Sequence, residues 1–235
     1  MPLVKPSLLF NDFFGSAGEV TAYHRDGKCY IRKRSRGRYG GTAAQLAALD
    51  VHRRALAAWR TQSAATQKIW HQYGREAEPH KPPFDHKAHI SGHNLFVSAY
   101  HGFAALGDEH IPSPMPFDSF PPFAVSVSGA AREGGVLRLY FRVTLGGVPD
   151  GSRYWVLAKI QLAEPGAGMH SGLMKNFLAD APCADEEVSV RIPDYINLFG
   201  MDQNSYQVHA RLILLDTVTG YRSQYQQVST IVTVA

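Results

Sequence analysis

The sequence predicts an α+β protein: an N-terminal β-hairpin with about three α-helices, then a C-terminal immunoglobulin-like antiparallel β-sandwich. Three observations carry this. Apolar residues recur at three- and four-residue steps between residues 42 and 106. Pro112, Pro114, Pro116, Pro121 and Pro122 crowd the next stretch, and proline at that density excludes both helix interior and central strand. Beyond it the apolar period is two. The expected domains are therefore a basic hairpin-plus-helices domain (1–106), a Pro-rich linker (107–119) and the sandwich (120–235).

The hairpin is expected over residues 18–34. Asp26-Gly27 separates two β-prone runs, and a type I′ turn needs the positive φ that this dipeptide tolerates. Val20, Ala22 and His24 would share one face, with Thr21 and Tyr23 on the other. The first helix starts at Thr42, where Thr42 and Gln45 have the spacing of a capping box. Its expected apolar stripe is Leu46, Leu49, Leu56 and Trp59, interrupted by Arg53. A second start lies at Ser63, with Ile69, Trp70 and Tyr73 facing inward, and a third at Ser91. From there Leu95, Phe96, Ala99, Tyr100, Phe103 and Leu106 give a core-facing stripe that ends at Gly107. Trp59 and Trp70 could form a base-stacking pair, but their place on these stripes points to core packing. Asn94 is expected to bond the backbone of a neighbouring segment.

Six runs then alternate: Phe123–Val127, Leu137–Val143, Tyr154–Leu162, Val188–Ile192, Tyr206–Leu214 and Val228–Val234. Six or seven strands with polar turns between them are the pattern of an immunoglobulin-like or fibronectin-like sandwich.

The 235 residues are 45% apolar and 19% charged, an ordinary globular balance. The start, Met1-Pro2-Leu3-Val4-Lys5-Pro6, lacks the pattern of a signal peptide, and no apolar run approaches the length of a membrane span. The expectation is a cytoplasmic protein, or one in an assembled particle, with no membrane partner. Cys29 and Cys183, far apart in the chain, read as free thiols. Charge is uneven: residues 1–110 hold 15 basic against 9 acidic residues, and residues 111–235 hold 9 against 11.

His71, His80, His86, His89, His93, His101 and His110 crowd one region. His86, His89 and His93 could offer three imidazoles on one helix face, but Pro82, Pro83, Ser91 and Gly92 oppose a helix there. A loop before a helix cap is expected, with no metal and no cofactor. Nucleophile elbows and phosphate loops are absent from the sequence. Cys29 has only the sequence-near His24 as a base, and Glu186-Glu187 reads as solvated charge. No catalytic residues are assigned, and an enzyme is not expected. The residues singled out for binding are Arg25, Lys28, Arg32, Lys33, Arg34, Arg36 and Arg38, interleaved with Tyr23, Tyr30 and Tyr39. A two-stranded ribbon carrying such cations fits a major groove and neutralises phosphates. It would equally meet an acidic protein surface or another subunit.

The run Gly18-x-Val20-x-x-Tyr23 and Gly27-Lys28-x-Tyr30-x-Arg32, then Gln45, Arg53, Trp59 and Trp70, then Ser91-Gly92-His93-Asn94-Leu95-Phe96-Val97-Ser98, resembles a bacterial protein family of unknown function. The resemblance covers about residues 15–106 and implies a β-rich C-terminal portion. The chain departs from that pattern in its His-rich insert and at Gly40-Gly41, where prolines are expected. Together these readings point first to a non-enzymatic structural or interaction protein, an assembly component of a phage or other mobile element, with a protein partner or self-assembly. Nucleic-acid binding through the hairpin is the alternative, and a metal-dependent function the third.

Overall fold

A computed structural model describes residues 3–4, 15–25, 28–34, 41–76, 90–117, 120–147 and 151–234. The fold is mixed α+β and divides into two compact units, Met1–Ala48 and Leu49–Ala235. The division falls inside the first helix and not at the Pro-rich 107–119 segment.

The first unit is a four-stranded antiparallel sheet: β1 (Leu3–Val4), β2 (Gly15–Ala17), β3 (Val20–Arg25) and β4 (Lys28–Lys33), in the order β1-β4-β3-β2. The hairpin register runs from Val20↔Lys33 to Arg25↔Lys28, the two-residue connection that Asp26-Gly27 calls for, although those two lie outside the described residues. Gly18 turns β2 into β3 at φ 56°, a conformation that glycine adopts without strain. The two short outer strands carry no alternation that a sequence reading can find.

Helices α1 (Ala43–Thr61), α2 (Ala64–Glu76) and α3 (Gly92–Ala105) begin where the caps predict. Thr42 N–H donates to Gln45 Oε1 at 3.0 Å and Gln45 N–H to Thr42 Oγ1 at 3.3 Å, a reciprocal capping box. Ser63 Oγ accepts from Thr66 N–H and Ser91 Oγ from Asn94 N–H. Most of the α3 stripe is buried as expected: Leu95, Phe96, Ala99 and Tyr100 share a core with Trp70 and Ala55, and Phe103 is buried too, while Leu106 is only half-buried. Two expectations fail. Leu46 and Leu49 are 54% and 42% exposed, because α1 packs through Ala55, flanked by Val51, Ala58 and Trp59. Ile69 is also exposed, since α2 turns Trp70 and Gly74 inward. Gly74 is needed there: a Cβ would stand 2.6 Å from the Ile90 carbonyl oxygen. Asn94 is exposed; its backbone completes the Ser91 cap and its side chain lies near His93, reaching no neighbouring segment. No described helix is long and apolar enough to cross a membrane.

The rest of the second unit is two antiparallel sheets. β5 (Phe123–Glu133), β6 (Val136–Leu145) and β9 (Glu187–Pro193) form one, in the order β5-β6-β9. β7 (Tyr154–Ala163), β8 (Lys175–Pro182), β10 (Ser205–Asp216) and β11 (Gln226–Thr233) form the other, in the order β11-β10-β7-β8. Alternate residues of both sheets bury one core: Leu137, Leu139 and Phe141 share it with Val156, Ala158 and Ile160, and with Val208, Ala210 and Leu212. β8 and the five-residue α4 (Tyr195–Phe199) were not expected. β8 is an edge strand with a polar start and a terminal proline, so it carries little alternation.

The Pro-rich stretch is a packed joint rather than a free linker. Tyr221 donates its hydroxyl to the Met115 carbonyl at 2.7 Å, Phe117 lies 5.4 Å from the Tyr221 ring, and Phe120 packs against both cores. Directly beside it α3 meets the corner after β10. A Cβ on Gly102 would collide with the Gly220 carbonyl oxygen, and one on Gly220 would stand 2.5 Å from that of Ala99. Only backbone fits between these two elements.

Alanine at position 102 would add roughly 1 kcal/mol of helix propensity, yet it must push α3 off the corner. Gly102→Ala is therefore expected to destabilise the protein by about 1–3 kcal/mol net in denaturant melts. A more stable variant would show that the contact is not closed.

Candidate functional site

The strand register gathers the hairpin's aromatic and cationic residues. Tyr23 pairs with Tyr30 and Thr21 with Arg32, so these four share one face. The Tyr23 and Tyr30 rings stack at 5.7 Å with an interplanar angle of 22°, and the Arg32 guanidinium lies 5.6 Å from the Tyr23 centroid. Such contacts hold flat, partly polar surfaces together without burying them. On the opposite face Cys29 is 4% exposed, beside the half-buried Ala22 and Ile31. The Cys29 face is buried there, but it opens at the ribbon's end, where Val20 and Lys33 alternate onto that face and are exposed. Arg32, Lys33 and Arg34 are exposed. Arg34 also closes the ribbon, its backbone N–H bonding the Glu19 carbonyl at 2.6 Å. The register sets Arg25 opposite Lys28. Arg36, Arg38 and Tyr39 lie outside the described residues. The structure therefore places Arg32, Lys33 and Arg34 in succession at the end of β4, with an aromatic pair beside Arg32 and Lys33 on the opposite face.

The histidines divide among separate roles. His80, His86 and His89 fall outside the described residues. His71 and His93 flank Trp59 edge-on at 5.9 and 5.4 Å, part of the α1–α2–α3 packing. His110 pairs with Asp108 at 2.7 Å. His101 on α3 meets His52 on α1, Nε2 to Nδ1 at 3.3 Å, a contact between residues 49 positions apart that no local spacing reveals. Among the described residues no group of three His, Cys, Asp or Glu side chains could hold a metal ion.

Ser229 and His209 make a contact that resembles a nucleophile and its base, Oγ to Nδ1 at 2.8 Å. Its surroundings show what it does. Ser229 Oγ also accepts from the Gln207 amide at 3.1 Å, and His209 Nε2 lies 2.9 Å from the Ala167 carbonyl. Gln161 Oε1 accepts from His170 N–H at 2.7 Å, and Gln207 Oε1 from Gly166 N–H at 3.3 Å. The network ties the loop between β7 and β8 to the outer face of the sheet. Both cysteines are buried, and neither is in a disulfide. Burial pushes the Cys183 thiol up to about 11, so it is held protonated and poorly nucleophilic at neutral pH. It lines a shallow pocket of about 220 Å³ with Val143, Leu145, Gly151 and Glu186.

No family model matches the chain, and no curated protein matches it. Among solved structures it is similar to a catalytically inactive OgpA from Akkermansia muciniphila in complex with an O-glycopeptide substrate, glycodrosocin. That likeness has 15% identity over 61% of this chain and 39% of that one, with a TM-score of 0.34. Wild-type OgpA gives 13% identity, 60% and 39% coverage, and a TM-score of 0.32. MtrC from Shewanella baltica OS185 gives 14% identity, 48% and 22% coverage, and a TM-score of 0.25. The chain thus spans about two fifths or less of the length of these proteins. At such TM-scores the likenesses carry no argument about its fold or chemistry.

His101 makes a pH prediction. Burial, then the Arg222 guanidinium, then His52 hold its imidazole below the ordinary 6.5. The unfolded chain therefore takes up this proton first as pH falls. The contribution is complete above about pH 6.5 and is lost progressively as pH drops through the lowered folded value. The melting temperature in chloride buffer should fall between about pH 7.5 and 5.5, and His101→Gln should reduce the slope. An unchanged slope in that variant would assign the effect to other histidines.

Proposed function

We propose that this chain is a non-enzymatic structural or interaction protein, an assembly component of the kind a phage or other mobile element carries. It docks an acidic protein surface, or a second copy of itself, through the cationic face of the β3–β4 hairpin. The observation that carries the reading is the Tyr23–Tyr30–Arg32 arrangement, with Arg34 exposed just beyond it and the reverse face buried at Cys29. A rigid ribbon presents these side chains with little ordering cost at binding. Membership in the bacterial family whose hairpin and helix motifs it resembles is part of the proposal.

The sheets of the second unit read as an immunoglobulin-like sandwich. With β5 to β11 taken as strands A to G, the sheets are A-B-E and G-F-C-D. The fourth strand lies on the other sheet from its place in immunoglobulin constant domains. Tyr206, fully buried near the start of β10, accepts at its hydroxyl from Gln203 N–H at 2.9 Å, as in a tyrosine corner. Sandwiches of this kind serve assembly in many unrelated proteins, an analogy of fold alone.

The aromatic pair also favours a second reading, nucleic acid held by base stacking and phosphate contacts. Salt separates the two. Labelled poly-glutamate and labelled duplex and single-stranded DNA are titrated against the protein at several salt concentrations, with the oligomeric state followed by light scattering. The first reading expects self-association or poly-glutamate binding that Arg32→Ala/Arg34→Ala/Arg36→Ala abolishes, with DNA bound weakly even at low salt. Micromolar DNA binding near physiological salt overturns it in favour of nucleic acid, if the same variant flattens the log–log salt slope by nearly three units, at about 0.9 per phosphate.

A further inference from the structure

We infer that a small oxyanion group, phosphate-like or carboxylate, binds at Arg222, His101 and His52, where helices α1 and α3 meet the corner after β10. This site belongs to the second unit alone and is independent of the hairpin reading.

The geometry begins with the backbone. Gly102 abuts Gly220 so closely that no side chain fits, and the charge of Arg222, two residues past Gly220, reaches the imidazole of His101, next to Gly102. Arg222 is held there by a backbone bridge to Leu215. His52 comes up from α1, with its ring 5.6 Å from that of His101 and the facing nitrogens 3.3 Å apart. At that separation one nitrogen donates and the other accepts, so the pair holds one proton between them and binds a second against repulsion.

Arg222 is partly buried, and its Nε has no hydrogen-bond partner. Arg132 and Arg138 also have an unpaired Nε, but each forms an ion pair, with Asp202 and Glu133 respectively. Arg222 forms none among the described residues. The nearby acids are committed elsewhere: Asp50 and Glu109 to Arg54, Asp108 to His110, Asp216 to Arg153. A partly buried guanidinium whose charge reaches the His101 imidazole, with no ion-pair partner among the described residues, is costly unless an anion supplies the missing charge. A planar guanidinium receives two oxygens of one oxyanion side by side, and an imidazolium N–H can donate to the same group.

The groups that set its pH dependence are His52 and the paired Arg54 and Asp50 on α1, His101 and Tyr100 on α3, the paired Glu109, and Arg222. Among these residue types imidazole is the one that ordinarily changes charge near neutrality. Anion binding therefore takes up a proton and tightens on acidification, by up to about tenfold per pH unit.

Sulfate is the first probe, because its charge is constant between pH 6 and 8. Phenyl phosphate and acetate then distinguish a phosphate ester from a carboxylate. Melting temperature is measured at fixed ionic strength against chloride, at about pH 6 and pH 7.5, for the wild type and for Arg222→Gln. The proposal expects a saturable rise with sulfate, larger at the lower pH and absent in the variant. Arg222→Lys is expected to retain part of it. Imidazole resonances of His52 and His101 should shift with the same midpoint, a readout that holds even if Arg222→Gln fails to fold. Equal melting in sulfate and chloride, an equal rise in Arg222→Gln from a general salting-out effect, or unmoved imidazole resonances would each overturn the site.

Discussion

The carboxylate of Asp216 is 6% exposed and accepts four hydrogen bonds, from three residues. Arg153 reaches it with Nε at 2.9 Å and Nη2 at 2.6 Å, the Val218 amide at 2.9 Å and the Thr219 hydroxyl at 2.9 Å. Burial alone would push this carboxyl up; the Arg153 fork and the two further donors outweigh it and hold it below the ordinary 3.8. These bonds set the turn from Asp216 to Tyr221. They carry Gly220 to its φ of 69° and fix the surface that α3 touches. Tyr221, one residue on, anchors the Pro-rich stretch through Met115. The contact of helices with sheets therefore depends on one buried ionised group and the chain order around it.

That dependence explains why the expected boundary at 107–119 is not where the compact units part. Proline density rightly excluded helix and strand there, but a segment without regular structure can still be packed, and Pro112 and Pro121 are buried. The helical region from Leu49 onward instead shares its core with Tyr221, far along the chain. Periodicity cannot report such a contact.

What was legible was local. Caps at Thr42, Ser63 and Ser91 need only three residues of sequence, and each forms the bond its spacing implies. Strand alternation was legible because each inward residue is buried by the facing sheet. The α1 stripe was misread because its fully buried residue is an alanine, Ala55, and a count of large apolar residues favours Leu46 and Leu49 instead. The cations of the hairpin could be named from sequence, and their pairing with Tyr23 and Tyr30 follows from the register. The Arg222–His101–His52 cluster could not, since its members come from three elements and nothing in their spacing links them. His52 and Arg222 lie outside the histidine-rich region that drew attention to metal.

The claim on which this account rests is that α3 and the sheets form one cooperative body through the Asp216 corner. Native-state hydrogen exchange tests it directly, in the wild type and in Asp216→Asn. The account predicts that amides of Phe96–Phe103 and of Val208–Leu214 exchange through one common opening, and that the substitution lowers both protections equally. If the α3 amides open at a lower free energy of their own, and Asp216→Asn leaves them unchanged, the helices fold apart from the sheets and the account is contradicted.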